Sequence, residues 1–149
     1  MKLAEALLTR SEYKKRISEL QSRINRNTQV QEGDKPTEDP IELINELTEV
    51  YKKLNEIIKR INYVNFNTIL EGNISLSDAL VDRKLLIEKR HSLLNVATYA
   101  LPNNRNSRNE IKIISTINVA AMNQEVDNIS KQIREIDTKI QAKNWTIDI

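Results

Sequence analysis

Residues 39–66 read DPIELINELTEVYKKLNEIIKRINYVNF, and this stretch decides the fold. Leu43, Ile44, Leu47, Val50, Tyr51, Leu54, Ile57, Ile58, Ile61 and Val64 take three positions in every seven. That is the stripe of a long amphipathic helix, wide enough to touch two neighbours. Asp39 can cap such a helix, and Pro40 suits its first turn, where the missing N–H has no partner to lose. Glu42 adds a capping-box-like spacing. A helix is expected over 40–66.

Upstream, residues 28–39 (TQVQEGDKPTED) hold Gly33 and Pro36 without periodicity and read as a loop. Before it, Leu3, Ala6, Tyr13, Ile17, Leu20 and Ile24 fall on alternating spacings of three and four, with Arg10 and Asn27 also on the seam. A narrow-striped helix over 3–27 follows. Downstream of Phe66 the pattern breaks, and TILEGNI reads as a short extended pair turning at Gly72. Ser75 with Asp78 has capping-box spacing and opens a helix over 76–101, whose apolar stripe is interrupted by Arg83 and Arg90 and which stops at Pro102. EIKIISTI (110–117) is rich in β-branched residues and predicts a strand. Asn118 can cap a last helix over 119–143, where Val119, Met122, Val126, Ile129, Ile133, Ile136 and Ile140 keep an unbroken heptad. The ending NWTIDI is again strand-like, with Trp145 as an expected packing anchor.

The predicted fold is therefore mainly α: four long antiparallel helices, a bundle or pair of coiled-coil hairpins, with short β segments near 68–74, 110–117 and 145–149. One domain over residues 1–149 is the expectation for this length. Composition agrees, with 2 Gly, 3 Pro and 30% charged residues. Residues 1–30 carry seven basic and three acidic side chains, residues 31–66 five basic and eight acidic. Opposite signs favour pairing of the first two helices. Nothing at the start resembles a signal peptide and no stretch has the apolar length of a membrane span, so the cytoplasm is the expected compartment.

Chemistry is sparse. Cys is absent, which excludes disulfides, thiol nucleophiles and cysteine zinc sites. Glu88 and His91 have the Glu-x-x-His spacing of di-iron bundles, but His91 is the sole histidine and both residues are expected to face outward. Arg10, Arg83 and Arg90 lie on apolar seams, where their stems can cover apolar surface and their heads can pair with carboxylates and fix register. Arg105, Arg108 and Lys112 flank an Asn-rich loop and form a candidate anion contact, though no interleaved aromatic residues supply base stacking. The expectation is no catalytic, cofactor-binding or metal site.

Several stretches resemble the septicolysin-like family of small bacterial proteins. They are MKLAEALLTRSEYKKRISELQSRINRN, VQEGDKPTEDP, LEGNISLSDAL, SRNEIKIISTINVAAMN and NWTIDI, together spanning essentially the whole chain. The resemblance implies a mainly helical, oligomeric protein without established enzymatic activity, and its label implies a cytolysin. Taken together, the expected protein is a non-enzymatic helical bundle acting through protein–protein contacts, as a homo-oligomer or with another protein. A membrane-acting, haemolysin-like role is the alternative, and nucleic acid is disfavoured.

Overall fold

Short polar side chains cap three of the helix starts among the described residues. In the computed structural model, which describes residues 1–102 and 111–149, four helices occur among the described residues. They are α1 (Leu3–Asn27), α2 (Pro40–Asn67), α3 (Leu76–Tyr99) and α4 (Val119–Thr146). Strands β1 (Ile69–Glu71) and β2 (Ile74–Ser75) pair antiparallel between α2 and α3 in chain order. The chain divides into two compact units, one of Met1–Thr68 with Lys143–Ile149, the other of Ile69–Ala142.

In the first unit, the Asp39 carboxylate accepts the Ile41 N–H at 2.9 Å and Pro40 occupies the first turn of α2. Glu5 does similar work for α1 by accepting the Lys2 N–H at 2.6 Å. Leu20, Ile24, Leu43 and Val50 are buried together, with Tyr13, Ile17 and Leu47 packed against them. Those positions recur every three or four residues on both helices, so each seam stays turned toward its partner. The flanking charges pair as their signs demand. Arg16 Nε donates to Glu46 at 2.9 Å, and Arg23 forms a two-pronged pair with Glu38. The partner number falls as the first rises, which makes α1 and α2 an antiparallel hairpin. Asn27 is buried with both ends of its amide used: Nδ2 donates to the Arg23 carbonyl at 2.8 Å and Oδ1 accepts the Glu38 N–H at 3.0 Å. This ties down the far end of the 28–39 loop.

The chain's two ends meet in the same unit. Leu3 N–H donates to the Ile147 carbonyl and Ile149 N–H to the Met1 carbonyl, both at 2.9 Å, around a single bridge between Lys2 and Asp148. The expected strand at 145–149 is corrected accordingly: α4 runs on through Thr146, and only the last residues pair in extended form. Buried Asn144 lies four positions after buried Ile140, so the helical seam persists past Lys143 and overrides the local β preference. Trp145 sits on that last turn, 57% exposed, and is not a buried anchor.

In the second unit, Gly72 at φ +56° makes the tight turn of the β hairpin, a left-handed conformation that glycine adopts without strain. Ser75 Oγ accepts the Asp78 N–H at 3.0 Å while the Asp78 carboxylate accepts from Ser75, the expected capping box. Asn118 Oδ1 accepts the Ala121 N–H at 3.0 Å and caps α4. On α4, Val126, Ile129, Ile133 and Ile140 are buried; on α3 only Leu76, Ala79 and Ala97 are. Arg83 on α3 pairs with Asp137 on α4 at 2.7 Å, and Glu71 at the end of β1 pairs with Lys139 on α4. The helix expected over 76–101 stops at Tyr99, because a residue before proline is driven out of the helical region and Leu101 precedes Pro102.

The strand expected over 110–117 is not formed at 111–117, which is irregular. Ile111 is 80%, Ile113 59% and Ile114 75% exposed. β-branched composition describes a residue's fit to a sheet, and among the described residues no strand pairs with this segment.

Candidate functional site

A groove of about 510 Å³ lies wholly within the second unit, between α3, α4 and the β hairpin. Its floor is apolar, from Leu70, Ile74, Ala79, Leu85, Leu86 and Ile136. Its rim is charged, with Glu71, Asp82, Lys89, Glu135 and Lys139, and Gln132 closes one end. The hairpin turn places Glu71 against Lys139, and this ion pair fixes one wall. Asp82, Lys89 and Glu135 form no ion pair among the described residues, so two carboxylates and one ammonium face solvent around the floor. Volume and apolar lining suit an apolar side chain or segment. Among the described residues that line it there is no Ser, Thr, Cys, Tyr or His.

A second feature is the helix surface left uncovered. On α2 the row Leu43, Leu47, Val50, Leu54, Ile57, Ile61 is buried or half-buried, while Ile41, Ile44 and Tyr51 beside it are exposed. On α3, Val81, Leu85, Ile87, Leu94 and Val96 are exposed. The wide stripes of α2 and α3 are thus covered along one row only.

Of the residues singled out by sequence, Arg83 does pair with a carboxylate, Asp137, across the seam. Arg10 and Arg90 are half-buried but make no ion pair among the described residues. Arg105 and Arg108 lie outside the described residues, and Lys112 is exposed on the irregular segment before α4. Glu88 and His91 are both exposed, and among the described residues no group of three or more His, Asp or Glu is placed to hold a metal ion. The groove itself went unseen in the sequence. Its one signal was the adjacent pair Leu85–Leu86, which makes the α3 stripe wider than one helix can cover.

Among the described residues, perturbed side-chain electrostatics occur at the α1–α2 hairpin and at the chain ends. The hydrogen bonds from Arg23 hold the Glu38 carboxyl below its ordinary range and raise the Arg23 guanidinium in turn. Lys2 likewise holds the Asp148 carboxyl down, through a 2.9 Å hydrogen bond and its charge. Both pairs lie in the first unit, where Arg23 and Asp148 each line a shallow surface recess.

Four helices, a β hairpin and exposed apolar side chains on α2 and α3 define a small, mainly helical protein. The chain belongs to the DUF6847 family, a family of unknown function, whose model matches residues 10–149. It is also similar to the crystal structure of a functionally unknown conserved protein from Corynebacterium diphtheriae. The two share 37% identity over 97% of this chain and 95% of that one, with a TM-score of 0.92. No curated protein matches it. No helix among the described residues is long and apolar enough to cross a membrane.

Proposed function

We propose that this protein works without catalysis, by associating through the apolar helix surface that a single chain leaves open. The carrying observation is the exposed second row of α2, Ile41, Ile44 and Tyr51, beside a fully used seam. Large apolar side chains grouped on one helix face mark association surfaces, whereas scattered ones do not. Copies of the same chain are the simplest partner, since a two-fold axis lets one surface complement itself.

Light scattering on the purified protein tests this directly. The wild type associates at micromolar concentration, and Ile44→Lys with Tyr51→Lys weakens association while far-ultraviolet circular dichroism stays unchanged, because both side chains are already exposed. A wild-type monomer sinks the reading. The resemblance to septicolysin-like proteins supports a different role, in which an amphipathic helix leaves the hairpin for a lipid surface. Dye release from anionic liposomes by the intact protein, abolished by Leu7→Glu with the fold retained, would move the assignment there.

A further inference from the structure

We infer that the groove of the second unit receives the Ile111–Ile117 segment of a second copy of this chain, a deepening that rests on the self-association just proposed. Three observations meet here. The segment displays Ile111, Ile113 and Ile114 to solvent in an irregular stretch that no helix or strand needs. The groove offers an apolar floor with no side chain from that segment on it. Their charges also match: the groove keeps Asp82 and Glu135 against one ammonium, Lys89, and the segment carries a single charged residue, Lys112, between its isoleucines.

The segment cannot fill its own groove. It leaves the start of α4 at Asn118, while the groove's α4 floor residue, Ile136, lies 18 positions further on. At 1.5 Å per helical residue that separation is about 27 Å. An extended chain covers at most about 3.6 Å per residue, so Ile114 reaches about 14 Å from Asn118, Ile113 about 18 Å and Ile111 about 25 Å. If the segment doubled straight back along the helix, Ile113 and Ile114 would fall short even of Gln132, the nearest α4 residue of the groove at about 21 Å, and Ile111 would reach that end alone. A second molecule has no such tether. Since every copy carries both segment and groove, reciprocal exchange about a two-fold axis fills both grooves and closes the assembly.

The test replaces Ile114 with the photo-reactive residue benzoylphenylalanine in the full chain and mixes heavy-isotope-labelled with unlabelled protein before irradiation. Cross-links joining heavy to light chains at Leu85, Leu86 or Ile136 are expected. Heavy–light links elsewhere, links confined to one chain, or no links from a protein that light scattering shows to be multimeric would each overturn the exchange while leaving self-association intact. A monomeric wild type overturns both. Charge reversal provides the second arm: Lys112→Glu and Asp82→Lys each weaken association about tenfold, and the double reversal restores it. Two losses that simply add contradict the proposed pairing. Neither residue has a folding role to lose, as both side chains are exposed.

Discussion

Replacing Leu20 with alanine probes whether the α1–α2 seam stabilises the first unit. Leu20 has 0% exposure and lies in one cluster with Ile24, Leu43 and Val50. Truncation removes about three methylene equivalents, or about 2.4 kcal/mol at about 0.8 each. The surrounding seam belongs to two helices tied by the Arg16–Glu46 and Arg23–Glu38 pairs, so it can close only part of the gap. A cavity penalty then brings the loss to about 3–4 kcal/mol, within the range seen for buried leucines. With a urea dependence of about 2 kcal/mol per molar, the unfolding midpoint drops by about 1.5–2 M. The matched control is Leu8→Ala on the same helix, 59% exposed, which costs under about 1 kcal/mol. Urea titrations followed by circular dichroism at one fixed protein concentration measure both, since association adds stability by mass action. Equal midpoints for the two variants would refute the seam as the source of stability.

Three further expectations concern caps and charges. Ser75→Ala removes the side chain that accepts the Asp78 N–H and lowers stability by about 1 kcal/mol, read in the same titration. Glu38 and Asp148 titrate below their ordinary values when folded, so their contribution is complete above the unfolded carboxylate pKa of about 4 and is lost as pH falls through the lower folded values. Glu38→Gln should therefore flatten the acid limb of a stability–pH curve and leave its slope near neutrality unaltered. Arg83→Met costs at most about 1 kcal/mol, because its partner Asp137 is partly solvated, and a larger loss in the midpoint would show that the pair is needed for packing as well.

Most of the helical framework was legible because its signals are local. The Asp39–Pro40 start, the Ser75–Asp78 box and the Asn118 cap all stand where short polar side chains precede a periodic stripe, and α1 occupies the expected 3–27 without change. The sign change between residues 1–30 and 31–66 reappears as Arg16–Glu46 and Arg23–Glu38. Strands were legible only where a turn brings the partner alongside, as Gly72 does for Ile69–Glu71 and Ile74–Ser75. EIKIISTI has the composition without the partner, and NWTIDI has a helical seam that outlasts its β-branched residues. The groove was hidden for a different reason. It arises from how far apart α3 and α4 stand beside the hairpin, and periodicity says which faces are apolar without saying which parts of them are left uncovered.

Sedimentation equilibrium across the micromolar range tests the central claim most directly. Association through the exposed row of α2 predicts a mass that rises with concentration to an integral multiple of the 17.3 kDa chain. A mass fixed at that of one chain throughout would contradict it.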